Sequence, residues 1–331
     1  MLADGLARAI ERRRALLERL DREGTDCVRL WHGIAEGAAG LTVDRYGPVL
    51  LIQTGREPLE ARALDALVHA AEEGLGVTLS PCWNHRPAFR REGFDRHFAC
   101  EIDFAIAKEA GLAFDARPRH QGLDPLLFLD LRAGRRRVRE IARGSVLNLF
   151  AYTCGLGVAA AAGGAREVVN VDFARSSLTV GALNAARNGQ IGPWMRFVHE
   201  DAIPILLTLA GGAPKGRGAR GRSYLRMSQR RFDLVALDPP RWAKTPFGAI
   251  DVVRDYASLL NPALRAVAHG GHLIATHHVP GADRAAFAAL VERRARKVGR
   301  AIDALEILGP DEDFPSVDGE PPLKIALVRL A

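Results

Sequence analysis

Cysteine is scarce and scattered, with only Cys27, Cys82, Cys100 and Cys154 in 331 residues. No two of them form a C-x-x-C pair, and neither a zinc site nor a disulfide framework is readable from their spacing. A reducing cytosol is the expected compartment. Long apolar runs are also missing. The stretch Met1 to Leu20 is interrupted by Glu11, Arg12, Arg13 and Arg14, which excludes a signal peptide or a membrane span at this end. Acidic residues fall short of basic ones, 39 against 46, giving a formal net charge of +7 and a pI near 9.6. Such a balance favours polyanionic partners, although an Arg-heavy, Ala/Gly-rich composition also follows from genome bias, so charge alone decides little.

What is present is a folding chain: 48% hydrophobic and 26% charged residues over a length that suits two compact units. Leu6, Ile10, Leu16, Leu17 and Leu20 recur at helical spacing and predict one amphipathic packing helix over residues 1–24. Short β-like runs follow, Cys27 to Trp31 and Val49 to Gln53, with a helix predicted from Pro58 to Glu73. Residues 25–107 therefore read as a small α+β domain, a candidate for RNA recognition. Lys108-Glu109-Ala110-Gly111 reads as a hairpin turn into Leu112-Ala113-Phe114, and a domain boundary is placed near residue 108.

Over 108–331 strand-like and helix-like runs alternate, which implies a parallel sheet with crossover helices. The strands expected are Ser145 to Phe150, Glu167 to Val171, Met195 to His199, Phe232 to Leu237 and His272 to Thr276. Two last runs, Ala301 to Leu308 and Leu323 to Leu330, are separated only by an acidic, Pro-rich loop. With no room for a crossover helix they must pair antiparallel. A mostly parallel, seven-stranded α/β sheet ending in one reversal is the Rossmann-like, doubly wound architecture of class I methyltransferases.

Chemistry-bearing residues fall at the expected strand ends. The first strand runs into Phe150-Ala151-Tyr152-Thr153-Cys154-Gly155-Leu156-Gly157, where small residues let the backbone approach a ligand at the sheet's carboxyl edge. Asp172 ends the second strand, where an acid accepts both ribose hydroxyls of a nucleoside cofactor. Asp201-Ala202 follows the third strand, the place for a contact to an adenine amino group. Both aspartates serve equally well as helix N-caps. The fourth strand ends in Asp238-Pro239-Pro240-Arg241-Trp242. Its prolines fix a rigid turn whose acceptors suit a planar base bearing an amino group, and Trp242 offers a face for stacking unless it is a core tryptophan.

These runs, with Gly40-Leu41-Thr42-Val43-Asp44-Arg45-Tyr46-Gly47, Phe128-Leu129-Asp130-Leu131-Arg132 and Asn184 to Gly189, resemble the bacterial 23S ribosomal RNA methyltransferases. The nearest group is the cytosine-C5 large-subunit methyltransferase I and its guanine-methylating relatives. The resemblance covers roughly residues 25 to 331, without the PUA domain that opens many members. It implies S-adenosylmethionine as cofactor, held by Asp130, Asn148, Phe150, Tyr152, Thr153 and Gly155 with Asp172, Phe173, Asp201 and Ala202. Asp238, Pro239, Trp242 and His278 are the candidate catalytic residues.

Three departures stand out. Leu131 replaces a Gln, Cys154 replaces the first Gly of a Tyr-Thr-Gly-Gly turn, and the nucleophilic Cys of the Ser-Cys-Ser run is missing, since this chain reads Ala275-Thr276-His277-His278-Val279. Carbon C5 of cytosine needs a thiolate adduct at C6, whereas a ring or exocyclic nitrogen needs only alignment and proton management. A guanine nitrogen is therefore the expected target. His277 and His278 also read as plain polar residues at a strand end.

The basic, glycine-rich stretch Gly211 to Arg231 cannot form a core and is expected to be mobile without RNA. Lys215, Arg217, Arg220, Arg222, Tyr224 and Arg226, together with Lys244, are the candidate RNA contacts, and a solvated insertion without a partner is the bland alternative. Ribosomal RNA or a large-subunit precursor is the expected partner, with no metal and no membrane. The rival readings are a non-catalytic RNA-binding assembly factor and a small-molecule methyltransferase.

Overall fold

The computed structural model describes residues 1–86, 97–100, 102–118, 120, 124–214, 222–279 and 281–331, with 97 and 98 described by backbone alone. The chain divides into two units, residues 1–130 with 311–319, and residues 131–310 with 320–331.

In the first unit the expected single N-terminal helix is two, α1 (Leu2–Arg12) and α2 (Arg14–Arg22). The break has a local cause. The Arg13 N–H closes onto Ile10 O, one residue short of a helical bond, and its buried guanidinium is drawn to Glu36 and to Ala9 O. A five-stranded sheet follows, β1 (Cys27–His32), β2 (Leu41–Tyr46), β3 (Val49–Thr54), β4 (Ser80–His85) and β5 (His97–Cys100), in that spatial order. Helix α3 (Ala61–Leu75) provides the crossover that lets β3 and β4 run parallel, and the other pairs are antiparallel. Apolar residues of α1, α3 and the sheet, among them Leu6, Ile10, Leu30, Val43, Ile52 and Leu67, form its core.

The Gly-Leu-Thr-Val-Asp-Arg-Tyr-Gly run is β2 with its bounding glycines. Asp44 is fully buried and accepts from Arg29 Nε and Nη2 at 2.8 and 2.9 Å, and Tyr46 Oη donates to Leu127 O. Gly47 is left-handed (φ 57°), and a Cβ there would stand 2.4 Å from Ile106 O. The hairpin expected at Lys108 to Gly111 is present as β6 (Ile106–Glu109) and β7 (Leu112–Asp115), turning at positive φ through Ala110 and Gly111. It hydrogen-bonds back to residues 24–26 and so belongs to the first unit, which puts the division after Asp130 rather than near 108. Cys82 and Cys100 face each other across β4 and β5 and are joined as a disulfide, a pairing that spacing alone does not reveal.

The second unit is the expected seven-stranded sheet. Its elements are α4 (Arg132–Ile141), β8 (Ser145–Leu149), α5 (Gly155–Ala162), β9 (Glu167–Asp172), α6 (Arg175–Arg187), β10 (Met195–His199), α7 (Ala202–Leu209) and β11 (Phe232–Leu237). A short hairpin follows, β12 (Trp242–Thr245) and β13 (Gly248–Asp251), then α8 (Val252–Asp255), α9 (Ala257–Ala266), β14 (Val267–His277), α10 (Arg284–Lys297), β15 (Ile302–Leu308) and β16 (Lys324–Leu330). The order is β10-β9-β8-β11-β14-β16-β15, and β16 runs against both its neighbours while the other pairs are parallel. The central strands read Val146-Leu147, Val168-Val169 and Val235-Ala236 without alternation because helices cover both faces. Strand order reverses between β8 and β11, so the carboxyl ends of these strands border the crevice where doubly wound folds take ligands. The β12–β13 hairpin is not evident from the apolar pattern, although its turn, Thr245-Pro246-Phe247-Gly248, carries the usual turn residues.

Candidate active site

The turn after β8 departs from ordinary backbone geometry. Phe150, Tyr152 and Cys154 have φ of 56°, 48° and 63°, a region that costs a side-chain-bearing residue about 1–2 kcal/mol each. Surrounding bonds hold it there. Ala151 N donates to Val171 O at 3.0 Å, Cys154 N to Ala151 O at 2.7 Å, and the buried Asn184 Nδ2 to Thr153 O at 3.1 Å. Asn184 thereby gives the Asn184 to Gly189 run a physical role. Backbone strain of this kind collects where a ligand must be approached closely, and the turn leads straight into the N-terminus of α5 at Gly155.

Asp172 closes β9 beside it. Its Oδ2 accepts from Tyr152 N at 2.8 Å and its Oδ1 from Ala174 N at 2.7 Å. Burial pushes this carboxyl above its ordinary range, opposed by the two backbone donors. A carboxylate has about four acceptor positions, so two remain for a diol. Phe173 is half-buried against the core, and its carbonyl lies 3.1 Å from His199 Nε2. Asp201 does cap α7, accepting from Ile203 N at 2.9 Å, and its other oxygen accepts from Phe247 N in the β12–β13 turn at 3.3 Å. Ala202, the first residue of α7, is buried.

Asn148 is engaged within the sheet itself. Asn148 is buried inside β8 and donates to Asn170 Oδ1 at 2.9 Å, a sheet contact one residue short of the strand end. Asp130 closes the 1–130 segment of the first unit, where its charge acts on Arg29 and Tyr46.

Asp238 directly follows β11, and its partners come from the end of β14 and the residue just after it. The alternation of β14 carries on into the residue after it, so Thr276 and His278 come to the same side. Thr276 Oγ1 donates to Asp238 Oδ1, and His278 Nε2 lies 3.1 Å from the same oxygen. His277 points the other way, buried among Tyr256 and Phe287, and burial, with Lys324 and His278 nearby, lowers it to about 4. The two histidines that look alike in the sequence therefore differ completely in setting. Sequence reasoning misses Thr276, although its spacing of two from His278 is the available signal. Pro239 is buried, while Trp242 is 63% exposed on the hairpin, which rules out a core tryptophan.

Lys244, two residues on, is exposed on the same strand face as Trp242. Among the basic-stretch residues, Lys215, Arg217 and Arg220 lie outside the described residues. Arg222 is exposed, and the Tyr224 ring meets Phe247 edge-on at 5.7 Å with the Arg226 guanidinium 5.6 Å from its centre. Leu225 N and Met227 N are bonded to Glu200 and Thr208, so the described end of the stretch is tied to the residue after β10 and to α7. Arg230 is engaged by Glu167 at 2.8 and 2.9 Å. Among the described residues no cluster of His, Cys, Asp and Glu is placed to hold a metal, and no helix is long and apolar enough to cross a membrane.

Comparison with known proteins agrees with this geometry. A family model described as S-adenosylmethionine-dependent methyltransferase matches residues 29–204. The ribosomal RNA large subunit methyltransferase of Deinococcus radiodurans is 32% identical over 302 residues, covering 88% of this chain and 69% of that protein. Ribosomal RNA large subunit methyltransferase I of Aeromonas hydrophila is 29% identical, covering 89% of this chain and 72% of that protein. Among solved structures, a methyltransferase complexed with S-adenosylhomocysteine superposes with a TM-score of 0.77 at 20% identity, covering 99% of this chain and 80% of that one. A methyltransferase of Agrobacterium tumefaciens gives 0.61 at 16%, covering 93% and 90%. These two likenesses bear on the fold, and they bear out the doubly wound sheet. With its strained first turn and its acids at successive strand ends, the chain belongs to the S-adenosylmethionine-dependent methyltransferase family and uses S-adenosylmethionine as its cofactor.

Proposed function

We propose that this enzyme methylates a base of large-subunit ribosomal RNA in the cytoplasm, at a guanine nitrogen rather than at cytosine C5. The relatives' names support the RNA class. The atom is argued from the thiols. Cys154 is fully buried in the strained turn, its thiol pushed well up by burial, and Cys27, Cys82 and Cys100 all belong to the first unit. The second unit holds no cysteine besides the buried Cys154, and the groups beside Asp238 are Thr276 and His278, which is the observation that carries the reading.

S-adenosylmethionine supplies an electrophilic methyl group when bound. Asp172, with its two remaining acceptor positions, holds the ribose. Asp201 and Ala202 meet the adenine, and the turn from Phe150 through Tyr152 and Thr153 to Gly155, with Phe173, walls the cofactor. Asn148 supports this site from within the sheet. Asp238 accepts an N–H of the base and takes the proton that the nitrogen loses, while His278 orients it. Pro239 fixes the turn, and the exposed Trp242 ring is a platform for an extruded base. Arg222, Arg226 and Lys244, with Lys215, Arg217 and Arg220 of the same basic set, neutralise phosphates, and Tyr224 stacks among them. The first unit is the second element of RNA recognition.

The test is methylation of unmodified ribosomal RNA from a deletion strain by purified protein, followed by mass spectrometry of the digested product. A methylated guanine is expected, and 5-methylcytosine overturns the assignment of the atom.

A further inference from the structure

We propose that Thr276 is a positioning residue for the reaction, fixing the Asp238 carboxylate so that only one of its oxygens meets the base. The inference rests on the reading of Asp238 above.

The backbone of Asp238 is held on both sides. Its N–H donates to Leu149 O across the switch point, and Pro239 and Pro240 restrict the residues that follow. The side chain is a separate matter, because the terminal torsion of an aspartate is broad and two-fold, leaving its oxygens free to exchange places. Thr276 removes that freedom. Thr276 is 2% exposed and so shut off from bulk water, and its Oγ1 donates to Asp238 Oδ1. The threonine is itself anchored, since the buried Tyr256 donates from Oη to Thr276 O at 2.8 Å. His278 Nε2 approaches the same Oδ1 at 3.1 Å from the more open side. With Oδ1 engaged twice, Oδ2 is the oxygen left for the base. Threonine is β-branched and stiff at χ1, so the hydroxyl is held in one direction by its own covalent structure as well as by packing.

Such a residue acts on the rate through geometry and not through substrate affinity. Replacing Thr276 by Val, which keeps the shape and removes the donor, is expected to lower kcat by about 10- to 100-fold with KM for the RNA and the affinity for S-adenosylmethionine unchanged. Thr276→Ser, which keeps the hydroxyl, is expected to recover most of that loss. Asp238→Ala is the reference. Thr276→Val at wild-type kcat beside an impaired Asp238→Ala overturns the role of Thr276 and leaves Asp238 intact, whereas Asp238→Ala at wild-type kcat overturns the reading of Asp238 and this inference with it. Should the valine fail to fold, judged by cofactor binding, the Ala and Ser variants decide. Serine active and alanine impaired supports the role, and equal rates overturn it.

Discussion

Cys154 stands in a left-handed position that glycine occupies at no steric cost, and its sulfur fills the space next to Gly181, where an added Cβ would lie 2.3 Å from Sγ. The two residues are thus complementary, a small helix residue against an oversized turn residue. Gly181→Ala is expected to destabilise by about 1–3 kcal/mol through overpacking. Cys154→Gly should be close to neutral, relief of strain offsetting poorer packing. The double variant should recover most of the alanine's cost, a coupling of about 0.5–3 kcal/mol measurable by urea denaturation, and additive effects would refute the pairing. At Asp172 the expectation concerns ligand. Asp172→Ala should weaken S-adenosylmethionine binding by about 10- to 100-fold, as loss of a hydrogen bond to a charged group does. Calorimetry showing unchanged affinity in a folded variant counts against the ribose assignment.

His277 gives a pH dependence. Its folded value of about 4 lies below the ordinary 6.5, so between the two the unfolded chain binds the extra proton. Stability is then complete above pH 6.5 and falls as pH drops toward 4, by at most about 1.4 kcal/mol per unit. His277→Phe, compatible with the surrounding Tyr256 and Phe287, should flatten this slope. Denaturation midpoints at about pH 7.5 and about pH 5 check it, and an unchanged slope excludes His277 as its source.

At the scale of elements, β14 shows how a strand sorts neighbours in sequence into different chemistry. Period-two alternation sends Thr276 and His278 to Asp238 and His277 into the apolar layer. The β12–β13 hairpin uses the same alternation to display Trp242 and Lys244 while turning Thr245 inward. Because Trp242 is so exposed, Trp242→Ala should leave thermal stability nearly unchanged yet weaken RNA binding, by about 1–3 kcal/mol if a base stacks on it. Replacing Arg222, Arg226 and Lys244 by Gln should instead flatten the salt dependence of RNA affinity, by up to about 0.9 in slope for each phosphate no longer neutralised. An unchanged slope removes these cations from the interface.

For the whole molecule, the decisive expectation is chemical. A variant with all four cysteines replaced by serine or alanine should keep turnover in reducing buffer, and an RNA carrying 5-fluorocytosine should trap no covalent complex. Asp238→Ala should cost about 10² to 10⁴ in rate, the usual contribution of a positioned acid or base. Loss of activity in a single folded cysteine variant, together with 5-methylcytosine in the product, restores carbon chemistry.

The architecture of the second unit is legible in the sequence because its information is local. Apolar runs of strand length, crossover helices and a final pair too close for a helix admit essentially one sheet. Asp172, Asp201 and Asp238 are legible for the same reason, each standing where an apolar run has just stopped. What depends on tertiary structure is everything set by register or by distant partners. Nothing in the order of residues shows that Cys82 faces Cys100, that Arg13 breaks a helix to reach Glu36, or that the β6–β7 hairpin joins the first unit. Nor does it separate Asn148, buried against Asn170, from residues two and four positions on that form the strained turn. A chain's periodicity specifies which face a residue takes, but the identity of the group on the other side comes from another part of the sequence, and only the folded sheet brings Thr276 to Asp238.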